Sequence, residues 1–170
     1  MGAYSRKKIL DLVRNNGLVS EYIDLETQVT PNGFDMTLQG VESLASPGKI
    51  DFSNGERVLS DTADVPFDGD GWAFLPQGTY RIVYNEVVSI PTDAIAIART
   101  RSSLLRCGVS IETGVWDAVY RGRSSSMLHV ANSAGIHLKR DARVLQLVFF
   151  DLDTETDAYC GAYQHENITE

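Results

Sequence analysis

The sequence predicts an all-β protein, built as a sandwich or a barrel-like sheet, with one short helix at its amino end. Three observations lead to this fold class. The period of an amphipathic helix disappears after residue 17. Short apolar runs then alternate with turn sequences such as Pro31-Asn32-Gly33 and Ser53-Asn54-Gly55. The last apolar run, VLQLVFF at residues 144–150, is rich in residue types that favour strands.

The amino-terminal helix is predicted over residues 1–17. Ser5 is a favoured N-cap residue, and Gly17 supplies a stop signal. Between them, apolar residues recur at helical spacing on one face, namely Ile9, Leu10, Leu12 and Val13. This pattern indicates a single amphipathic helix.

Later segments rich in β-branched and aromatic residues are predicted strands. They are Thr79–Tyr84, Ala94–Ala98, Ser126–Val130, Gly135–Leu138 and Arg143–Phe150. The last segment is almost wholly apolar, which predicts burial on both of its faces. Residues 151–170 are polar and acidic, so we expect a carboxyl-terminal arm that orders only on contact.

A length of 170 residues without an internal repeat or linker predicts one domain, residues 1–170. Hydrophobic residues make up 43% and charged residues 22%, which excludes wholesale disorder and a coiled-coil rod. The net charge of −8 argues against a nucleic-acid polymer or an anionic membrane surface as partner. The chain has two cysteines and lacks a signal-peptide pattern or a spanning apolar run, so we expect a cytoplasmic protein without membrane contact.

Positive charge is concentrated between Arg99 and Arg123. This window holds five arginines and two acids, a net charge of +3, in an otherwise acidic chain. Arginine suits bidentate recognition of phosphate, and the hydroxyls of Ser102 and Ser103 lie beside Arg101. On composition alone, a solvated arginine-rich surface explains the window equally simply.

The segment GVWDAVYRG, residues 114–122, places one carboxylate and one aromatic ring between two glycines. Asp117 has the chemistry of a general base for phosphate-ester hydrolysis, because a carboxylate near arginines stays ionised. Tyr120 has the chemistry to stack on a sugar or base. The alternative is an aspartate in a turn and a tyrosine in the core.

Four strings resemble, in order and spacing, the motifs of the trimeric dUTP pyrophosphatases (dUTPases) and the related dCTP deaminases, archaeal members in particular. They are NGFDMTL (32–38), RSSLLRCG (101–108), GVWDAVYRG (114–122) and KRDARVLQLVF (139–149). The resemblance spans most of the chain. It implies a distorted jelly roll of the dUTPase-like, β-clip type. It also implies a homotrimer with sites at subunit interfaces, built from motifs of different chains.

The resemblance further implies a dUTP diphosphatase, in which water attacks the α-phosphate with Mg²⁺ assistance to give dUMP and pyrophosphate. In that family pattern Asp117 activates the water and Tyr120 packs against the deoxyribose. The phosphates are held by Arg101, Ser102 and Ser103.

Further roles follow from the same resemblance. Gln146 lies near the phosphates or supports the site, and main-chain groups around Gly114 and Val115 pair with the uracil edge. Asp35 places Mg²⁺ indirectly, through water. Most ligands of the metal then come from the triphosphate and solvent, since Mg²⁺ keeps several waters.

The carboxyl-terminal arm departs from the common dUTPases, because their glycine-rich fifth motif is missing. The segment YCGAYQHEN at residues 159–167 is closer to the tail of the deaminases. Two interpretations stay open for Tyr163 and Gln164. They either cover the nucleotide or, with Tyr159, fix the arm to the barrel.

Met127 separates the two branches of the family. Deaminases carry a proton-shuttling glutamate ten positions after the aspartate that corresponds to Asp117, and this chain has Met127 there. A thioether cannot transfer that proton, so we expect no deamination. Filling of the core is a simpler explanation of Met127 that leads to the same expectation. The alternatives are a dCTP deaminase, with His129 as proton carrier, and a non-catalytic nucleotide-sensing trimer.

Overall fold

The computed structural model describes residues 2–168 and begins with the predicted helix. Helix α1 spans Arg6–Asn16, and the Ser5 hydroxyl accepts a hydrogen bond from the Lys8 N–H at its start. Gly17 ends the helix in the left-handed conformation, with φ of 67°. Ile9 and Val13 are buried in the core. Within the described residues, no helix is long and apolar enough to cross a membrane.

Residues 2–168 otherwise form thirteen strands and two short helices. The strands are β1 (Val19–Ser20), β2 (Val29–Thr30), β3 (Gly33–Leu44), β4 (Thr62–Asp64), β5 (Trp72–Leu75), β6 (Gly78–Tyr84), β7 (Val87–Ser89), β8 (Ala94–Thr100), β9 (Val109–Glu112), β10 (Arg121–Gly122), β11 (Ser125–Val130), β12 (Ile136–Lys139) and β13 (Arg143–Asp151), and the helices are α2 (Leu25–Gln28) and α3 (Ser102–Arg106). All five predicted strands are present. Their bounds differ from the predicted ones by one or two residues. Strand β12, for example, starts after Gly135, which has φ of 75°.

The main sheet has the order β8-β13-β3-β6-β11-β9, with β2 and β4 paired to β3. The neighbouring strands in this order run antiparallel. Two smaller sheets, β1-β7-β10 and β12-β5, complete the fold. The predicted all-β fold is therefore confirmed.

The two edges of the main sheet meet at Thr100, the last residue of β8. Its hydroxyl accepts a hydrogen bond from the Ile111 N–H of β9 at 2.7 Å and donates to the Ile111 carbonyl at 3.2 Å. A second link joins Ala96 of β8 to Trp116, beyond β9, by two backbone hydrogen bonds of 3.0 Å. These contacts bring the edges together and make the sheet a nearly closed barrel.

The longest strand, β3, was not among the predicted strands. Phe34, Met36 and Leu38 alternate with the polar residues Asp35 and Thr37, a period of two that is typical of a strand, and the two polar residues are only 2% exposed. The buried Glu86 carboxylate accepts hydrogen bonds from the Thr37 N–H and from the Thr37 hydroxyl. Polar partners thus replace the apolar contacts that a sequence pattern detects.

The prediction that β13 is buried on both faces is wrong. Leu145, Leu147 and Phe149 on one face are fully buried, while Gln146, Val148 and Phe150 on the other face are only half-buried. One face of β13 therefore forms core, and the other is partly open to solvent in a single chain.

Candidate active site

A cavity of about 690 Å³ lies between the end of β9, the start of β11 and the carboxyl-terminal segment. We call it the Asp117 cavity. It brings together several predicted site residues, namely Gly114, Val115, Asp117, Tyr120 and Tyr163. The other predicted residues lie elsewhere, namely Asp35, Arg101, Ser102, Ser103, Gln146 and Gln164.

Asp117 opens a tight turn whose shape depends on its neighbours. The Tyr120 N–H donates to the Asp117 carbonyl at 3.1 Å, and Val119 adopts the left-handed conformation with φ of 66°. That conformation is strained for a β-branched residue and needs support from surrounding contacts. The Val119 N–H donates to the Ile90 carbonyl at 3.1 Å, and the Val119 carbonyl accepts from Gln164 Nε2 at 2.9 Å. The turn leaves the Asp117 carboxylate exposed at the cavity wall.

A chain of hydrogen bonds runs along the cavity wall beside Asp117. Trp116 Nε1 donates to Ser124 Oγ at 2.6 Å, and Ser124 Oγ lies 3.0 Å from the Tyr120 hydroxyl. The Tyr120 hydroxyl donates to Glu166 Oε1 at 2.9 Å. Because indole nitrogen only donates and a carboxylate only accepts, the chain runs in one direction, from Trp116 to Glu166. Tyr120 is 6% exposed, so its ring is part of the core and of the cavity wall together.

Sequence reasoning missed Trp116, Ser124 and Glu166. Trp116 lies within the segment 114–122 but was given no role there, and Ser124 lies outside the motifs. Glu166 lies far along the chain, in a segment expected to order only on contact. Burial raises the pKa of Glu166, while the hydrogen bond from Tyr120 and the charge of Arg81 lower it. Burial also raises the pKa of the Tyr120 phenol, and the nearby Glu166 carboxylate adds to that rise.

The cavity walls are acidic rather than basic. Three carboxylates line them, from Glu112, Asp117 and Glu166. The one arginine in the wall formed by the described residues, Arg81, is already paired with Glu42. Glu42 has a lowered pKa, chiefly because Arg81 donates a hydrogen bond to it. The predicted concentration of arginines therefore does not reach this cavity in a single chain.

Met127 lines the cavity and is 43% exposed, so the interpretation as a core-filling residue is wrong. On β11 it lies directly opposite Glu112 of β9 and Arg81 of β6. The thioether therefore lies in the cavity wall, at the position where the resemblance to deaminases led us to look for a glutamate. His129 is the next residue on the same face, and its Nδ1 lies 3.3 Å from the Thr79 hydroxyl. It does not line the cavity.

The carboxyl-terminal arm is ordered against its own chain, which corrects the expectation that it orders only on contact. Asp151 completes β13, and the remaining residues run back over the Asp117 turn. Gln164 Oε1 accepts from the Arg121 N–H at 2.8 Å, while Gln164 Nε2 binds the Val119 carbonyl. Tyr159 packs edge-on against Tyr120, with ring centroids 5.9 Å apart. Gln164 and Tyr159 therefore fix the arm to the barrel.

A second cluster gathers the predicted phosphate-binding residues. Arg101 Nε lies 3.0 Å from Asp35 Oδ2, and Arg143 Nη1 lies 3.3 Å from the same oxygen. Gln146 is the register partner of Asp35 across β13 and β3, and it donates to the Thr30 hydroxyl. Ser102 and Ser103 follow Arg101 at the exposed start of α3. We call this group the phosphate cradle.

Asp35 is 3% exposed in its side chain and serves as the buried anion of the cradle. Burial raises the pKa of Asp35, while the charges of Arg101 and Arg143 lower it. Arg101 Nη1 also donates to the Arg143 carbonyl at 3.1 Å, which fixes the plane of the guanidinium. Asp35 thus holds the arginines in place.

Strand β8 separates the phosphate cradle from the Asp117 cavity. Asp117 follows Trp116, which pairs with Ala96 near the start of β8. Arg101 directly follows Thr100 at the end of β8. Strand residues rise about 3.3 Å each, so the five residue steps from Ala96 to Arg101 span about 17 Å. Asp117 and Arg101 of one chain therefore lie toward opposite ends of β8.

The donors for a metal ion are sparse. Among the described residues, no group of three or more His, Cys, Asp or Glu side chains is arranged to hold an ion. The carboxylate of Asp35 already accepts two arginines, which fits an indirect contact through water better than direct ligation. Such a donor set fits Mg²⁺ that is carried mainly by the oxygens of a bound triphosphate.

Residues 3–152 match the family described as dCTP deaminase-like. The chain belongs to this family. A protein of Methanosarcina mazei named "Probable deoxyuridine 5'-triphosphate nucleotidohydrolase" is 46% identical over 169 residues, which cover 98% of this chain and 99% of that protein. A protein of the same name from Archaeoglobus fulgidus is 47% identical over 168 residues, or 99% of each chain.

A solved structure supports the fold of the dCTP deaminase-like family. The 2'-deoxycytidine 5'-triphosphate deaminase of Agrobacterium tumefaciens superposes with a TM-score of 0.67 at 21% identity. The superposition covers 87% of this chain and 48% of that one. At this identity the similarity concerns the fold alone.

The contacts of Gln164 predict that Gln164→Leu loosens the arm. Two hydrogen bonds of about 1 kcal/mol each are lost, so the amides of residues 159–166 should exchange with solvent roughly tenfold faster or more. Hydrogen exchange followed by mass spectrometry measures this rate. Gln77→Leu is the matched control, because the Gln77 amide makes one longer bond, 3.3 Å, to Ala131. Unchanged exchange in the arm of Gln164→Leu would show that other contacts hold it.

Proposed function

We propose that this protein is a dUTP nucleotidohydrolase, which converts dUTP to dUMP and pyrophosphate. The observation that carries the proposal is the exposed Asp117 carboxylate, held by a strained turn in a cavity of nucleotide size. The full-length similarity to archaeal proteins named as dUTP nucleotidohydrolases supports this substrate. Met127 in the cavity wall favours hydrolysis over deamination, because it cannot carry a proton to or from a base.

The complete site forms between chains in this proposal. Asp117 of one copy and the phosphate cradle of another act on the same nucleotide, since the two lie toward opposite ends of β8 within one chain. A cyclic arrangement of identical copies repeats this contact at every interface. We propose a homotrimer, the arrangement that the resemblance to trimeric dUTPases implies. The acidic cavity and the basic cradle are complementary in charge, which supports such a contact.

Hydrolysis then proceeds by one displacement at phosphorus. Asp117 accepts a proton from a water molecule, and the water oxygen forms a bond to the α-phosphorus. The bond from the α-phosphorus to its bridging oxygen breaks, and pyrophosphate leaves with that oxygen and the bonding electrons. Arg101, Ser102 and Ser103 donate hydrogen bonds to the phosphate oxygens, whose charge they stabilise. Mg²⁺ bound to the triphosphate would neutralise further charge.

The sugar and the base contact the other walls of the cavity. Tyr120 packs against the deoxyribose, while main-chain groups at Gly114 and Val115 pair with the uracil edge. A ribose hydroxyl buried against Tyr120 without a partner costs about 1–3 kcal/mol, which gives a preference for the deoxynucleotide of about tenfold or more. Tyr163 borders the same cavity from the arm.

We further propose that the protein acts in the cytoplasm on a free nucleotide. Both cysteines, Cys107 and Cys160, are free thiols, which agrees with a reducing compartment. The net charge of −8 supports a small nucleotide, rather than a nucleic-acid polymer or a membrane, as the partner.

Product analysis tests the proposed function. The protein is incubated with Mg²⁺ and separately with dUTP, dCTP, dTTP or UTP, and the products are resolved by phosphorus NMR and base analysis. We expect dUMP and pyrophosphate from dUTP, and no ammonia from dCTP. Release of ammonia would instead support a deaminase and contradict the role given to Met127. Tight binding of dUTP without turnover would support a nucleotide sensor.

Replacement of the proposed general base gives a second prediction. Asp117→Asn should lower the turnover of dUTP by about 10²- to 10⁴-fold, because the amide cannot accept the proton of water. Binding of the nucleotide should stay largely intact, as measured by calorimetry. Asp64→Asn removes an exposed carboxylate on β4 and is the matched control. Unchanged turnover of Asp117→Asn would remove this residue from the mechanism.

A further inference from the structure

The segment between β3 and β4, residues 45–61, forms an ordered hairpin beside the Asp117 cavity. Lys49 and Val58 exchange backbone hydrogen bonds of 2.7 and 2.8 Å. At the tip, the Asp51 carboxylate accepts from the N–H groups of Ser53 and Glu56 at 3.2 and 3.1 Å. Leu59 on the returning arm of the hairpin lines the cavity. The hairpin is therefore one rim of the cavity.

Arg57 connects this rim to the opposite one. Its guanidinium carbon lies 5.6 Å from the centre of the Tyr163 ring, within the range of a cation–π contact. Tyr163 itself lines the cavity from the carboxyl-terminal arm and is 40% exposed. The contact places a positive charge at the boundary between the cavity and solvent.

The Arg57 guanidinium has no acidic partner within residues 2–168, although it is half-buried. Its neighbour Glu56 pairs with Lys49 instead. Stacking on an aromatic ring uses the face of a guanidinium and leaves the N–H donors in its plane available. Those donors have the geometry for bidentate binding of phosphate oxygens.

The acidic walls of the cavity would repel a triphosphate, and the Arg57 donors could offset that repulsion. Three carboxylates line the walls, and Arg81 is neutralised by Glu42. A triphosphate that enters with its α-phosphorus at Asp117 therefore meets repulsion along its chain unless a cation offsets it. Among residues 2–168, Arg57 lacks an acidic partner, and it lies beside the cavity on the same copy as Asp117.

We propose that Arg57 binds the terminal phosphates of the nucleotide held in the Asp117 cavity, with Tyr163 positioning its guanidinium. This inference rests on the proposed function and adds a phosphate contact from the hairpin, outside the four motifs. It predicts that the loss of Arg57 weakens the binding of a triphosphate much more than that of a monophosphate.

Calorimetry with two probes tests the proposal, namely dUMP and a non-hydrolysable α,β-imido analogue of dUTP with Mg²⁺. Arg57→Gln should weaken binding of the analogue by about tenfold or more and of dUMP by less than about twofold. Lys49→Gln removes a positive charge from the same hairpin and is the matched control, with both affinities within about twofold of the wild type. Tyr163→Leu should also weaken binding of the analogue. The double variant should bind the analogue about as weakly as Arg57→Gln alone, since both changes remove the same Arg57–Tyr163 contact.

Two results would overturn the role of Arg57. One is an unchanged affinity of folded Arg57→Gln for the analogue. The other is an equal loss of affinity for the analogue and for dUMP, which would mean that Arg57 only shapes the cavity. If the wild-type protein hydrolyses dUTP and the Arg57→Gln variant binds the analogue with unchanged affinity, only this inference is wrong. A wild-type protein that neither binds nor cleaves dUTP contradicts the proposed function itself.

Discussion

Strand β8 imposes the constraint on which the site depends, because it holds two chemical groups apart. Near its start, the pairing of Ala96 with Trp116 fixes the turn that presents Asp117. At its end, Thr100 closes the barrel, and Arg101 follows directly. The strand is hydrogen-bonded to β13 along its length, so this distance cannot shorten without breaking the sheet. In the proposed function, the general base and the phosphate cradle lie at opposite ends of this strand and meet between chains.

The electrostatics of the two half-sites agree with that arrangement. Asp35 is buried and neutralised by Arg101 and Arg143, so the cradle presents net positive charge with its guanidinium groups already oriented. The Asp117 cavity presents carboxylates and keeps its wall arginine paired. Each half-site alone is poorly suited to a triphosphate. In the proposed assembly they together provide donors for the phosphates and a carboxylate base for water, with Arg57 as the proposed cation on the acidic side.

Much of the fold was predictable from the residues, whereas the sharing of the site between chains was expected only from the resemblance to a known family. The helix and the five predicted strands have strong periodicity or strand-forming composition. Strand β3 was not predicted, although residues 34–38 alternate between apolar and polar types. The sequence does not show that Asp35 and Thr37 on its polar face are buried with polar partners. The motifs pointed to Asp117 and Arg101, but the distance between these residues depends on how the strands pair. Glu166 and Arg57 reach the cavity only because the arm and the hairpin fold against the barrel. The local sequence does not show these long-range contacts.

Subunit complementation tests most directly whether Asp117 and Arg101 of different copies share one substrate. Asp117→Asn and Arg101→Gln are each expected to be nearly inactive. The two variants are mixed in equal amounts, dissociated and reassembled, and hydrolysis of dUTP is then measured. Random assembly of a cyclic oligomer should restore about a quarter of wild-type activity, because one interface in four combines an intact Asp117 with an intact Arg101. Mixed oligomers that stay as inactive as the separate variants would contradict a site shared between chains.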